Sequence, residues 1–257
     1  MASTYAARQL ARKLKLEAIL TRELMVWFRS ISATIKPVLR HTGSLPSIDH
    51  FRIDLVALLR KHYSRVGNAF MGDVSLMKQW QIKQTDDEQQ SINDATLAAF
   101  LAWSVTHAQQ QSAYIIATTQ DDLQSIYADA QTRLAQDGEQ DNVGKLSLLV
   151  AAAFAASYIG RTSVIATTET QSSAEQAKLQ EANATMQVVR RESTKTWHTL
   201  LDDRTRASHV LADLQEQPRS TPFTVGGERL MIPGDTSLGA SPSNIIGCRC
   251  SAEYTAV

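Results

Sequence analysis

The two cysteines of this chain, Cys248 and Cys250, stand one residue apart in "GCRC" near its end. Upstream, the stretch "LDDRTRASH" beginning at Leu201 gathers acids, arginines and a histidine. These residue types allow three chemistries. Zinc prefers thiolate and imidazole ligands, so Cys248, Cys250 and His209 form a candidate metal set, with an Asp in reach completing four ligands. The C-x-C spacing is tighter than the common C-x₂₋₄-C of structural zinc sites. Alternatively, one thiolate is a nucleophile and His209 its base, although nothing marks an oxyanion hole or a strained elbow. In the third reading both thiols are packing groups beneath a hairpin. An HNH-type nuclease would place His, Asn and Asp on a hairpin followed by a helix, whereas here the helical pattern comes first and the His-bearing strand is missing. There is no phosphate loop, G-x-S-x-G or H-E-x-x-H. The expectation is a protein that is not an enzyme, with a zinc-dependent nuclease or hydrolase as the alternative.

The elements that must position these residues begin with "KTWHTLLDDRTRASHVLADLQ", which is helical in pattern. On a helix, Asp202, Arg206, His209 and Asp213 share one face. Asp202 and Arg206 then form a favourable i,i+4 pair, and Trp197 faces the core with Leu200 or Leu201. "PFTVGGERLMIPGD" predicts a hairpin, with strands at 223–225 and 229–232 around Gly226-Gly227. Pro233-Gly234 is a second turn signal. "GASPSNIIGCRC" reads as loop, and "CRCSAEYTA" as a closing strand.

Before residue 191 the pattern is helical almost throughout. Leu16, Leu20, Leu24, Trp27 and Phe28 predict a helix from about Thr4 to Ile35, broken at Pro37 and "HTGSLPS". Ser47 is the expected cap of the next helix, whose apolar face carries Leu55, Leu58, Leu59 and Tyr63. "QTDDEQQ" at 84–90 is expected to be polar and exposed. One or two helices follow, ending near Gly138, and then two more, broken near Gly160. The expected fold class is a mainly α N-terminal region, elongated and spanning 1–190, followed by a small α+β C-terminal module with a β-hairpin over 191–257.

The 26 basic and 26 acidic residues cancel but are unevenly placed. Residues 1–66 carry 12 Lys and Arg against 4 acids, and residues 67–150 carry 4 against 11. The basic quarter either docks on the acidic middle or meets nucleic acid or an acidic protein surface. The longest apolar run, "LSLLVAAAFAASYIG", reads as too short and too rich in Ala and Ser to span a bilayer. The N-terminus lacks the apolar region of a secretory signal. A soluble protein, with no membrane partner, is expected.

The C-terminal third resembles the phage Mu F-like minor head protein family. Trp197, Asp202, Arg204, Thr205, Arg206, Ser208 and His209 match its Trp, Asp-x-Arg-Thr-Arg and Ser-His. Phe223, Val225, Gly227, Pro233, Gly234 and Asp235 follow, then "GAS" at Gly239–Ser241, then Cys248-Arg249-Cys250. Upstream, Ile165, Ala166, Thr168, Glu169 and Thr170 are similar to the segment preceding this region in the family. Where the family often has Asp-Gly after the His, this chain has Asp213-Leu214. Where it often has Asn before the first Cys, this chain has Gly247, with Asn244 nearby. The resemblance implies a minor component of a tailed-phage head, made in the host cytoplasm and present in multiple copies inside the virion or at the portal vertex. Its implied partners are the portal and other head proteins, and its implied roles are head assembly, DNA packaging and DNA delivery at ejection. It assigns a structural signature rather than a reaction.

Overall fold

The computed structural model describes residues 4–74, 76–81 and 85–257. Long helices dominate its first three quarters: α1 (Thr4–Thr42), α2 (Arg52–Phe70), α4 (Asp86–Gln136) and α5 (Val143–Val189), with the short α3 (Leu76–Gln79) between α2 and α4. The mainly α region followed by a small strand-containing module is therefore as expected.

Local signals set several boundaries. The cap of the 3₁₀ turn Asp49–Phe51, which leads into α2, is Ile48 and makes no side-chain cap bond, rather than the expected Ser47, whose Oγ accepts the Asp49 N–H at 3.4 Å. α4 begins in a capping box, Thr85 Oγ1 accepting the Glu88 N–H at 3.2 Å and Glu88 Oε2 accepting the Thr85 N–H at 3.0 Å. It ends at Gly138, whose φ of 72° suits the left-handed residue of a Schellman motif. The matching bonds run from Glu139 N to Leu134 O and from Gly138 N to Ala135 O. Of "QTDDEQQ", Gln84 lies outside the described residues, and 85–90 are exposed and open α4.

Two expected breaks are absent. α1 continues through Pro37 to Thr42. Pro37 forfeits one helical hydrogen bond, but Ile35 and Leu39 on either side of it are fully buried, and that packing holds the helix together. α5 likewise runs through Gly160. One helical glycine costs about 1 kcal/mol relative to alanine, and buried Phe154, Tyr158, Thr162 and Ile165 offset it.

The chain forms two compact units. One comprises Ile19–Lys61 and Thr106–Ser163 and is helical. Within it Phe28 stacks on Tyr158 at 5.3 Å, and Trp27 Nε1 donates to Phe51 O at 3.1 Å. Arg161 pairs with Asp122 at 2.6 Å. The apolar run read from sequence is part of a longer helix. An 18-residue window of α5 has a mean hydropathy of 1.6 with 28% of it buried, long and apolar enough to cross a membrane by length and composition alone.

The other unit comprises Met1–Ala18, His62–Val105 and Val164–Val257. The expected boundary at 190/191 matches the helix-to-strand change but not the compact units. The C-terminal strands bury their apolar face against Val74, Leu76, Leu179 and Ala182, so those earlier segments belong to the same core. β1 (Ser193–His198) lies between β2 (Glu216–Pro218) and β5 (Ser251–Ala256), antiparallel to both. β3 (Phe223–Val225) and β4 (Glu228–Leu230) form the expected hairpin, with positive φ at Gly226 and Gly227 as a type I′ turn requires. β5 is the expected closing strand, while "PSNI" forms the one-turn α7 (Pro242–Ile245) rather than loop.

β1 replaces the expected start of a helix. Its inward residues are Ser193, Lys195 and Trp197, so the period-2 pattern is masked by two polar side chains. Lys195 is buried, donates to Met231 O at 2.7 Å and lies 4.9 Å from the centre of the Phe223 ring. Burial pulls its ammonium down to about 8. Between that value and the unfolded one near 10.4, the unfolded chain binds more protons, so stability rises with pH. The urea midpoint of the protein is expected to climb relative to Lys195→Met as pH increases through that window. Parallel curves would refute the assignment.

Candidate metal centre

The residues singled out by type do come together, but not on one helix face. After β1 the chain enters a loop, and only Ala207–Leu211 forms a helical turn, α6. Asp202 Oδ1 accepts from Thr205 Oγ1 at 2.8 Å, from the Arg204 N–H at 3.2 Å and from Arg249 at 2.7 Å. The Arg249 hydrogen bond, the largest cause, holds the Asp202 carboxyl down to about 2. The expected Asp202–Arg206 pair is replaced, because Arg206 adopts extended backbone and its guanidinium donates to Ile246 O. Asp213 instead accepts the Thr199 N–H at 2.8 Å. Trp197 is fully buried with Leu200, while Leu201 is exposed.

His209 is carried inward by α6, and its ring lies nearly perpendicular to Trp197, 5.7 Å away between centroids. Its Nδ1 is 3.4 Å from Cys250 Sγ and 3.8 Å from Cys248 Sγ. Both thiols are free and buried, and the three ligand atoms lie within 4.8 Å of one another. A tetrahedral metal bound by sulfur at about 2.3 Å and nitrogen at about 2.0–2.1 Å sets S and N roughly 3.6 Å apart. The donor set and spacing thus fit a metal ion. No Asp joins the cluster among the described residues.

The pair of thiols is electrostatically polarised. The Cys248 thiol is pulled well below its ordinary range, first by the hydrogen bond from Cys250 and then by His209, against burial. The Cys250 thiol is pushed well up by its bond to the Cys248 thiolate and by burial. Metal binding at this pair would displace the thiol protons.

The remaining signature residues hold this cluster against α5. Gln171 Nε2 donates to Cys250 O at 2.7 Å and to Pro233 O at 3.3 Å. Thr168 Oγ1 accepts the Gly247 N–H at 3.0 Å, and Ser172 Oγ donates to Gly234 O at 3.1 Å. Gly234 has φ +83°, and a Cβ there would meet Gln171 Cγ at 3.2 Å. Asp235 closes the Pro233-Gly234 turn by accepting the N–H groups of Met231 at 2.7 Å and Ser237 at 2.8 Å. Asn244, buried, donates to Val225 O at 3.2 Å and Glu228 Oε2 at 2.6 Å, tying α7 to the hairpin. Arg204 is exposed. Sequence reasoning assigned no role to Gln171 or Ser172. They lie in the polar run 169–173, buried along its whole length, and polar runs ordinarily signal solvent.

Leu214 and Gly247 both have left-handed backbone, with φ of 61° and 66°. Glycine and asparagine tolerate that region far better than leucine. Leu214 is 65% exposed, so its side chain contributes little packing. Leu214→Gly is expected to stabilise the protein by about 0.5–1 kcal/mol, read as a higher thermal midpoint. A lower midpoint would mean the side chain has a packing role.

No family model, curated protein or solved structure matches this chain.

Proposed function

We propose that this chain is a minor head protein of a tailed bacteriophage. In this reading it works at the portal vertex inside the virion and assists head assembly, DNA packaging or delivery. One observation carries the reading. The separate stretches that resemble the Mu F-like family fold into a single knot: Thr168 on Gly247, His209 on Cys248 and Cys250, and Gln171 bridging Pro233 and Cys250. The two departures from the family pattern support it too. They fall at Leu214 and Gly247, where backbone geometry favours the glycine and asparagine common in the family.

In this reading the cluster is a metal centre that also cross-links the fold, and its metal is zinc, held by His209, Cys248 and Cys250. Two sulfurs and an imidazole select zinc over hard cations, which take oxygen ligands. The ion cross-links α6 to the segment before β5, so its binding adds to the stability of the fold.

DNA contact through residues 1–66 is a narrower proposal. Lys13 is buried, Arg12 pairs with Asp73, and Lys61 lies 3.6 Å from Glu23, so these cations are engaged within the chain. Exposed Arg8, Lys15 and Arg29 are the candidates for phosphate contact.

Quantitative mass spectrometry of purified particles tests the function. The chain is expected at few copies relative to the major capsid protein, in both empty and DNA-filled heads. Loss after DNA ejection would identify it as delivered. Absence from every particle would overturn the proposal.

A further inference from the structure

His209, Cys248 and Cys250 supply three ligands, and no fourth His, Cys, Asp or Glu stands with them among the described residues. A tetrahedral metal there keeps one position for a group from outside the chain, as three-ligand zinc sites do. The surroundings of that position indicate what enters. The cleft beside the ligands has room for about 10 Å³ and is lined by Leu200, Arg204, Thr205, Arg206, Gly247 and Arg249. That volume admits about one water-sized atom. Arg204, Arg206 and Arg249 are among its lining residues, and no Asp or Glu is.

The charge balance gives the sign. A divalent metal with two thiolates and a neutral imidazole is neutral, so the arginines dominate the cleft. Arg249 is paired with Asp202, and Arg206 donates to a backbone carbonyl and keeps its charge. The Arg204 side chain is exposed and has no ion pair among the described residues. An incoming anion must offer one oxygen small enough for the cleft and further oxygens for the guanidiniums outside it. Phosphate has that shape, and planar guanidinium forks match it.

We propose that the metal centre, read as the zinc site above, takes an exogenous phosphate oxygen in its fourth position, with Arg204 holding the same phosphate. Free phosphate and the phosphates of a nucleic acid share this chemistry.

Cobalt(II) in place of zinc in the full-length protein tests it, because the visible absorption of cobalt reports its ligands. Titration with inorganic phosphate is expected to shift the cobalt bands saturably. Arg204→Ala is expected to weaken that response about tenfold, the order of one charge-assisted hydrogen bond, with cobalt content unchanged. A response to an oligonucleotide lacking terminal phosphates assigns the diester backbone. A response confined to inorganic phosphate and 5′-phosphorylated oligonucleotide assigns the monoester. Cobalt bands that ignore phosphate, or answer acetate equally well, would overturn this inference while leaving the metal site standing. Failure to take up cobalt with thiolate ligation would remove the metal site and this inference with it.

Discussion

Glu175→Gln is expected to destabilise the protein by about 3–5 kcal/mol, the usual result of breaking a buried ion pair from one side. Glu175 is fully buried, and its carboxylate meets Lys13 Nζ at 2.8 Å and Lys178 Nζ at 2.8 Å. It also accepts the Ala252 N–H at 2.9 Å. Lys13 reaches Gln171 at 2.7 Å and Ser251 at 3.0 Å, and Lys178 reaches Ala252 O at 2.9 Å. These bonds join the start of α1, the middle of α5 and β5. The amide variant preserves shape and leaves two ammoniums buried without a counter-charge. The midpoint of urea unfolding, followed by tryptophan fluorescence, reads the loss. Replacing all three residues by apolar ones of similar size is expected to recover most of it, because the desolvation cost disappears with the charges. A Glu175→Gln midpoint within error of the parent would contradict this account.

The same group predicts a pH dependence. Burial raises the Glu175 carboxyl, but Lys13 and then Lys178 outweigh it and hold it below the usual carboxylate range. The unfolded chain therefore binds more protons at acid pH. The contribution of Glu175 is complete above the unfolded value near 4.3 and is lost as pH falls through the lower folded one. The gap between parent and Glu175→Gln is expected to close on acidification. A gap independent of pH would mean the variant acts through packing.

Removing the metal has the second large expected effect. The protein purified without chelator is expected to hold about one equivalent of zinc. A ligand present at a thousand times its dissociation constant stabilises the folded state by about 4 kcal/mol, and structural zinc binds far more tightly than most cellular ligands. Chelation is therefore expected to lower the unfolding midpoint sharply, and zinc to restore it. Cys248→Ser, Cys250→Ser and His209→Ala are each expected to abolish both the bound zinc and the response to chelator. Substoichiometric zinc, together with an unfolding curve indifferent to chelator, would leave Cys248 and Cys250 as packing thiols.

Much of the architecture was legible in the sequence because local patterns determine it. The apolar stripe Leu20, Leu24, Trp27, Phe28 makes one face of α1. Gly226-Gly227 turns the hairpin, and the pairing of His209 with Cys248 and Cys250 was readable from ligand type. What the sequence concealed lies where a polar side chain is buried. β1 turns Lys195 inward, so a strand passed for a helix. The run from Glu169 to Ser173 is buried throughout although its composition is that of a solvated face. Lys13, Glu175 and Lys178 stand on two helices far apart in the chain, and their hydrogen bonds join them in the interior. Sequence periodicity reports which side chains avoid water when they lack polar partners. A buried polar group is stable only where its partners already stand, and those partners come from segments far apart in the chain, so tertiary structure alone decided their place.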